Sequence, residues 1–278
     1  MPRFDLAPYR PVALDDLVRV GRDHDGGYVI SRRSLAATRV LVGLGINDDW
    51  SFEEAFAHDN PGARVVGVDG SVSPGIFRRR ALPHVMRAAG WLVRARRWYL
   101  LEEWRAAQRE LGIARDMARF FDGRARHFVP RYFEPADGPA SVSWATLGRR
   151  HDLFPDGGAC DVFLKMDVEG AEYRTLGGVL PYADRLAGAV IEFHDLDREW
   201  DRFTAVMDAL QASLAIAHLH ANNCEPLIPG TATPKVLEVS FVNRRLVHGP
   251  IVSSTATYPI HGLDMRCSTH VPEHALAI

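Results

Sequence analysis

The sequence predicts an α/β fold with a mostly parallel sheet, and two patterns carry that prediction. Four short apolar runs rich in β-branched residues recur along the chain, and helical patterns lie between several of them. Strands buried on both faces of a parallel sheet have this continuous apolar character, because helices cover the sheet on either side. Each of the four runs also ends in a cluster of polar residues. Strands that alternate with helices in this way are typical of α/β proteins.

The four predicted strands end where their polar clusters begin. The strands are predicted at residues 39–42, 64–68, 161–166 and 187–191, and the clusters start at Gly43, Asp69, Asp167 and Glu192. In open α/β sheets, ligands bind in the crevice outside the carboxyl ends of the strands. We therefore expect the four clusters to form one pocket, and the sequence predicts an active site there.

The remaining segments extend the same pattern. Asp25-Gly26-Gly27 predicts a tight turn before a short strand, and Ser51 with Glu54 predicts a capped helix start after the first glycine loop. Further strands are predicted at residues 127–129, 215–220 and 236–242, and further helices at 142–147, 174–180 and 199–214. The segment after Tyr258 has little periodicity, so we expect it to be loosely ordered.

One segment, residues 76–121, interrupts the alternation of strands and helices. It is helical in pattern, rich in arginine, and contains Trp91, Trp98 and Trp104. An amphipathic cap packed on the core accounts for this composition, and a substrate lid or a partner contact are the alternatives. Its acidic residues dilute the basic face and weaken the case for a membrane-surface helix. We predict a single domain, residues 1–278, with a helical cap inserted at about 76–121.

Composition argues against several classes of function. A formal charge of −2 predicts no general affinity for nucleic acid or acidic membranes. No apolar stretch approaches the roughly 20 residues that a membrane helix needs. The three cysteines are far apart and show neither metal-ligand spacing nor a disulfide framework, as in proteins of a reducing compartment. We expect a cytoplasmic protein with no stable membrane insertion and no nucleic-acid partner.

The loop after the first predicted strand begins with Gly43 and Gly45, which let the backbone approach a ligand closely. The third glycine of a dinucleotide-binding G-x-G-x-x-G motif would fall at Asp48, which argues against a nicotinamide or flavin cofactor. Asp48 and Asp49 would repel a pyrophosphate, and they suit a cationic or uncharged ligand. Asp69 follows Gly45 by 24 residues. A carboxylate there can accept hydrogen bonds from both hydroxyls of a ribose, and a cap or turn role is the alternative.

Asp167, Glu169 and Glu172 lie together at the end of the third predicted strand. Three carboxylates in one place are electrostatically costly unless a cation, a proton or a set of donors offsets them. Glu169 and Glu172 also fit a simpler role, which is to complement the dipole of the following helix. Asp167 is nearest the strand end and is the best candidate for a direct role.

His194 has carboxylate neighbours in sequence that could orient its imidazole and raise its basicity, namely Glu192 and Asp195. A structural histidine bonded only within its loop is the alternative. A further hypothesis combines Asp167, His194 and His220 in a metal site of two histidines and one carboxylate. No short-range spacing in the sequence supports that ligand set.

The chain resembles FkbM-type methyltransferases and related methyltransferase-like proteins. Residues 43–54 and the string Lys165-Met166-Asp167-Val168-Glu169-Gly170-Ala171-Glu172 carry the resemblance, and residues 22–30, 192–194 and 220–223 match it as well. It covers roughly residues 20 to 242 without the insertion. The resemblance implies a Rossmann-like class I methyltransferase fold with S-adenosylmethionine as methyl donor. It usually also implies an oxygen acceptor on a sugar or a natural product.

On this resemblance we expect an S-adenosylmethionine-dependent O-methyltransferase acting on a hydroxyl of a small molecule, sugar or natural product. Gly43 and Gly45 would accommodate the methionine portion of the cofactor, and Asp48 would face its positive charge. Asp69 and Ser71 would bind its adenosine. Asp167 and His194 would position the acceptor and remove its proton.

Two residues depart from the family pattern. The acidic residue that methyltransferases commonly place two positions before the first glycine is Leu41, and Asn47 stands where a third glycine often occurs. Leu41 favours an alternative, a non-catalytic binding or scaffold protein that keeps the fold. A metal-dependent enzyme of another reaction class is the second alternative.

Overall fold

The computed structural model of the protein describes residues 4–94, 96–155 and 158–278. The strands are β1 (Leu17–Gly21), β2 (Gly27–Ser31), β3 (Val40–Leu44), β4 (Arg64–Val68), β5 (Arg126–Val129), β6 (Tyr132–Phe133), β7 (Ser141–Val142), β8 (Val162–Met166), β9 (Leu186–Phe193), β10 (Leu214–Ala221) and β11 (Leu237–Asn243). The α-helices are α1 (Arg32–Ala37), α2 (Ser51–Asp59), α3 (Pro74–Val93), α4 (Arg97–Phe120), α5 (Trp144–His151), α6 (Glu172–Thr175) and α7 (Leu196–Gln211).

Seven strands form the main sheet in the order β10-β11-β9-β8-β3-β4-β5. The neighbours from β9 to β5 pair in parallel, and β11 is inserted antiparallel between β9 and β10. The order β5-β4-β3-β8-β9 corresponds to the 3-2-1-4-5 order of a doubly wound sheet, with helices supplying the crossovers. The predicted Rossmann-like α/β fold is confirmed by this topology.

The centre of the sheet is buried on both faces, which explains the continuous apolar runs in the sequence. All five residues of β3 are buried. Val42 belongs to the cluster that also contains Trp144, whereas its neighbour Leu41 belongs to the cluster of Phe56 and Phe163. Successive strand residues point to opposite faces, so each cluster covers one side of the sheet. The ends of the central strands are therefore held rigidly.

Most predicted strands lie within one or two residues of their observed positions, but one predicted helix does not form as such. The helix expected at residues 174–180 is the four-residue α6 followed by two 3-10 segments, Leu176–Gly178 and Leu180–Arg185. Gly177 and Gly178 lower the helix propensity of this segment, and Pro181 follows three residues after Gly178. The capping prediction at α2 also needs correction. Ser51 is the first helical residue, and its N–H donates to Asp49 Oδ1 at 3.0 Å.

The helices α3 and α4 form a long hairpin, called the helical hairpin below, over the predicted insertion. Near the sheet, Phe77, Ala114 and Met117 are buried and pack against Ile46. Farther out, many of the apolar side chains of the hairpin are exposed. That the hairpin is a cap separable from a single domain stays a prediction. No helix in the described ranges is both long and apolar enough to cross a bilayer.

The C-terminal segment is ordered against the sheet edge, contrary to the expectation of a loose tail. Tyr258 pairs with Leu276 through a β-bridge, and both side chains are buried. Asn223 Nδ2 donates to the carbonyl oxygens of Ser268 and Val271 at 2.9 and 2.8 Å. Side-chain hydrogen bonds to a distant loop do not produce a periodic pattern, so the sequence did not reveal this attachment.

Candidate active site

A cleft of about 290 Å³ lies at the carboxyl ends of β3, β4 and β8, where the sequence predicts a pocket. Gly45 and Asp69 line it from the first two strand ends, and Asp167 lines it from the third. Tyr132 on β6 forms another part of the wall. The polar clusters after these three strands therefore meet in one site.

Asp69 joins the two loops that form one side of the cleft. Its Oδ2 accepts the backbone N–H groups of Ile46 and Asn47 at 3.0 and 2.8 Å. Its Oδ1 accepts both the N–H and the hydroxyl of Ser71, each at 2.6 Å. An ionised carboxylate offers about four lone-pair positions. A ligand hydroxyl that bonds Asp69 must therefore compete with Ser71, and the predicted ribose-binding role of Asp69 stays a prediction.

Gly43 and Gly45 differ in their positions relative to the cleft, and their predicted contact with the methionine portion of a cofactor stays a prediction. A side chain at Gly43 would collide with Glu53, so Gly43 makes room for a helix residue and does not face the cleft. Gly45 has φ 77° and lines the cleft. A side chain on Gly45 would collide with the backbone carbonyl of Asp167, so this glycine allows β3 and β8 to end side by side.

Asp48 does not line the 290 Å³ cleft itself, but it lines a smaller cavity of about 120 Å³ that Gly45 and Asp167 line as well. It also borders a cavity beside α2 and α4 together with Glu54 and Arg119. The predicted contact of Asp48 with a cofactor stays a prediction. Asn47 lines the cleft and has φ 48°. Asparagine tolerates this left-handed conformation better than most residues, which explains how Asn47 can occupy a position that favours glycine.

Lys165 provides a buried positive charge beneath the cleft. Its Nζ donates to the carbonyl of Gly45 at 2.7 Å and lies 3.8 Å from Asp167 Oδ2. Burial alone would lower the pKa of Lys165, but the charges of Asp167, Glu53 and Glu192 outweigh it and raise the pKa. The ammonium group is therefore charged and partly offsets the crowded carboxylates. A lysine inside an otherwise apolar strand was the signal in the sequence for this role.

Asp167 lies where the cleft meets a smaller cavity of about 120 Å³, and it lines both spaces. Its side chain is partly exposed. Within the described residues, Asp167 Oδ1 has no hydrogen-bond partner. This oxygen is itself buried and lies 4.0 Å from His194 Nε2, so the exposed part of the residue is what lines the two cavities, and a direct role for Asp167 stays a prediction.

His194 is surrounded by carboxylates. Its Nδ1 lies 3.1 Å from Glu172 Oε1, and its Nε2 lies 3.5 Å from Glu192, 3.5 Å from Glu169 and 4.0 Å from Asp167. Burial alone would lower the pKa of His194, but the hydrogen bond with Glu172 and the charges of Glu192, Glu172 and Asp167 raise it to about 9. A raised pKa favours the protonated imidazole, which can donate a hydrogen bond. The predicted role of His194 in positioning the acceptor and removing its proton stays a prediction.

Asp195 is not a partner of His194, although it is next in sequence. It adopts a left-handed conformation with φ 52° at the start of α7, and its carboxylate lies 3.6 Å from Arg198. Glu172 takes the place that the sequence suggested for Asp195. Its side chain is fully buried, so it does more than complement a helix dipole at the surface.

The predicted metal site of Asp167, His194 and His220 is not assembled. Both ring nitrogens of His220 are occupied elsewhere, because Nδ1 lies 3.0 Å from Glu238 and Nε2 lies 2.7 Å from Glu273. The reason is topological, since β11 lies between the strands that carry the two histidines. Two separate groups have ligand geometry instead, and they are Asp167 with Glu192 and His194, and His220 with Glu238 and Cys267.

Comparisons with known proteins were made for the whole chain. No protein-family model matches it, and no curated protein matches it. Among solved structures, a precorrin-6y C5,15-methyltransferase from Geobacter metallireducens is 14% identical with a TM-score of 0.35, and the match covers 76% of this chain and 86% of that one.

Two further structures are also methyltransferases. A 16S rRNA (adenine(1408)-N(1))-methyltransferase from Catenulisporales acidiphilia is 20% identical with a TM-score of 0.28, and the match covers 81% of this chain and 97% of that one. A mitomycin 7-O-methyltransferase is 13% identical with a TM-score of 0.27, and the match covers 76% of this chain and 52% of that one. Similarity this low does not transfer an activity, a substrate or a partner.

Proposed function

We propose that the protein is an S-adenosylmethionine-dependent methyltransferase of the FkbM type, acting on a hydroxyl group of a small molecule such as a sugar or a natural product. The observation that carries the proposal is the cleft at the ends of β3, β4 and β8, in which Asp69 joins two loops. The resemblance of residues 43–54 and 164–172 to that family supports the same conclusion.

The residues of the cleft fit the chemical groups of this cofactor. The ring of Tyr132 is 52% exposed and can stack against adenine. Asp69 and Ser71 present polar groups that suit ribose hydroxyls. Asp167 lines the cleft, and Glu169 adds a second negative charge beside it. These charges suit the positive sulfonium and ammonium groups of S-adenosylmethionine.

S-adenosylmethionine supplies a methyl group bound to a positively charged sulfur, which makes the methyl carbon open to attack by an oxygen nucleophile. Asp167 is the residue that accepts the hydrogen bond, and then the proton, of the acceptor hydroxyl. Lys165 Nζ and His194 Nε2 lie 3.8 and 4.0 Å from its two oxygens and fix the position of the carboxylate. A positioned base of this kind contributes about 10²–10⁴ to a rate, and alignment of the reactants contributes more.

Position 41 carries no acidic residue. Leu41 is fully buried in the cluster that faces α2. Gly43 lies two residues further along β3 on the same face, and its missing side chain makes room for Glu53 of α2. Glu53 is buried and does not line the cleft, so Leu41 still favours the scaffold alternative.

Transfer of a labelled methyl group to a panel of sugars and hydroxylated natural products tests the proposal. We expect transfer to at least one acceptor, and Asp167→Asn should lower turnover about 10²–10⁴-fold with cofactor affinity retained. Asp208→Asn, an exposed position on α7, is the matched control and should leave turnover unchanged. Cofactor binding without transfer to any acceptor would favour the non-catalytic alternative.

A further inference from the structure

Three residues outside the cleft form a compact group with mixed ligand chemistry, called the tail cluster below. His220 lies on β10, Glu238 lies on β11, and Cys267 belongs to the C-terminal segment. All three are buried, with relative exposures of 4%, 6% and 8%. His220 Nδ1 lies 3.0 Å from Glu238 Oε2, and Cys267 Sγ lies 3.2 Å from Glu238 Oε1. An imidazole nitrogen, a thiol sulfur and the oxygens of one carboxylate therefore lie close together.

The spacing of these atoms is close to that of zinc ligands. Ligand atoms at 2.0–2.3 Å from a tetrahedral zinc ion are about 3.3–3.7 Å apart. The three candidate ligand atoms of the tail cluster lie within 4.8 Å of one another. Neutral imidazole, thiolate and carboxylate together carry a charge of about −2, which a zinc ion balances. If the three ligand atoms moved slightly closer together, they would be at the distances that zinc coordination requires.

A second, independent observation concerns the other side of the His220 ring. Nε2 lies 2.7 Å from Glu273 Oε1, so this nitrogen carries the proton and donates it to a carboxylate. Histidines that bind metal commonly donate their second N–H to a carboxylate, which fixes the tautomer and turns the other nitrogen to the metal. Nδ1 faces Glu238 Oε2 at 3.0 Å, and an ion bound there would replace that hydrogen bond.

Carboxylates surround the imidazole of the tail cluster. Among the described residues, Glu238 and Glu273 lie on the two sides of the His220 ring, and the Cys267 thiol donates to Glu238. A divalent ion would replace the protons that these groups share.

We propose that His220, Glu238 and Cys267 bind a zinc ion that fastens the C-terminal segment to the edge of the sheet. Three protein ligands leave the fourth position to water, and Cys267 lines an open cavity of about 540 Å³ from which water can reach it. His220, Glu238 and Cys267 do not line the 290 Å³ cleft, so the ion lies outside the proposed methyl-transfer site. The site does not depend on the proposed methyltransferase activity.

Metal content and cobalt substitution of the full chain test this site. We expect close to one zinc per chain after dialysis, and replacement by Co²⁺ should give a thiolate-to-cobalt charge-transfer absorption. Cys267→Ser should abolish that absorption and lower zinc affinity at least tenfold. Cys160→Ser, a half-buried cysteine outside the cluster, should change neither. Glu273→Gln should weaken zinc binding about 10–100-fold with the absorption retained.

If Cys267→Ser does not fold, the absorption spectrum of the cobalt-substituted wild type still tests the proposal. A wild-type chain that binds neither Zn²⁺ nor Co²⁺, or that binds Co²⁺ with no thiolate band, would overturn the proposal and leave a hydrogen-bonded cluster. Chelation should also lower the unfolding temperature of the wild type but not that of Cys267→Ser. An equal decrease in both proteins would place the metal elsewhere.

A different observation carries a second inference, and it concerns the helical hairpin. Between residues 74 and 120 the chain has eleven arginines and four acidic residues, although the formal charge of the whole chain is −2. The hairpin also contains most of the large apolar side chains that are exposed. Six of them are Leu82, Met86, Val93, Trp98, Leu101 and Trp104.

The most exposed apolar residues lie where the two helices meet. Val93 is 88% exposed near the end of α3, and Trp98 is 74% exposed near the start of α4. Arg94 and Arg97 lie next to them in sequence. Apolar and tryptophan side chains with adjacent arginines match the interface of an anionic bilayer, where apolar groups enter and arginines meet phosphates.

We infer that the tip of the hairpin binds the surface of an anionic lipid membrane without crossing it. A second copy of the chain fits less well, because two hairpins with seven excess positive charges each would repel one another. The whole-chain charge hid this feature, since the rest of the protein is acidic.

Cosedimentation of the full chain with phosphatidylcholine vesicles, with and without phosphatidylglycerol, tests the inference. We expect binding only to the anionic vesicles, weakened by salt, and about tenfold weaker for Trp98→Ala. Ile251→Ser, an exposed apolar residue outside the hairpin, should bind like the wild type. Equal binding to both vesicles, or binding to neither, would overturn the inference. A dimer disrupted by Trp98→Ala would identify a second copy as the partner and would also overturn it.

Discussion

Replacement of His194 by glutamine should remove a pH-dependent part of the stability of the protein. His194 contacts four carboxylates, and its pKa is raised from 6.5 to about 9. Glutamine has a similar length and can still donate a hydrogen bond to Glu172, but it carries no charge. The variant therefore isolates the contribution of the imidazolium.

The size of the effect follows from the pKa shift. The rise of the His194 pKa from 6.5 to about 9 corresponds to about 3 kcal/mol, since one pKa unit is worth about 1.4 kcal/mol. Because the folded pKa lies above the unfolded value, this stability is fully present below about pH 6.5 and is lost as pH rises through about 9. We expect a contribution of about 3 kcal/mol near pH 6, about 2 near pH 7.5 and almost none near pH 9.5.

Urea unfolding of the wild type and of His194→Gln at these three pH values measures the contribution. The difference between their free energies of unfolding should shrink by about 3 kcal/mol from the lowest pH to the highest. His58→Gln removes an exposed histidine from α2 and should give a small difference that does not change with pH. A difference for His194→Gln that is constant with pH would refute the reasoning. An NMR titration that places the His194 pKa near 6.5 would refute it independently.

Three further predictions concern the residues around the cleft. Asp69→Ala should lower S-adenosylmethionine affinity about 10–100-fold and the free energy of unfolding by about 2 kcal/mol, because several hydrogen bonds to a charged acceptor are lost. Unchanged affinity in calorimetry would show that Asp69 is not part of the cofactor site. Lys165→Met should destabilise the fold by about 3 kcal/mol or more in urea, since it leaves buried carboxylates without their cation, whereas Lys235→Met, at the only other lysine, should cost much less. Replacement of residues 76–121 by a short linker should preserve cooperative unfolding and impair acceptor use more than cofactor binding; loss of cooperativity would show that the hairpin belongs to the core.

The fold was predictable because its strands are buried on both faces. The runs around Val42, Val66 and Leu164 are almost entirely apolar, with Lys165 as the charged residue inside the third, and this pattern identifies central parallel strands without knowledge of their order. The rule that ligands bind at strand ends then brought Asp69 and Asp167 together correctly. These predictions needed only local patterns.

The errors arose where strand order or side-chain direction decides the outcome. His220 was grouped with His194 because both follow apolar runs, but β11 is inserted between their strands and the sequence does not state that order. Glu172 was missed as the partner of His194 because their contact spans 22 residues.

Calorimetric titration with S-adenosylhomocysteine tests the central claim most directly, namely that the cleft beside Asp69 and Tyr132 binds an adenosyl cofactor. We expect one molecule bound per chain, and Tyr132→Ala should weaken binding by about 1–3 kcal/mol because stacking of a base on an aromatic ring is lost. Tyr99→Ala, at a half-exposed tyrosine of the hairpin, should bind like the wild type. No binding by the wild type, or equal affinity of the wild type and Tyr132→Ala, would contradict the claim.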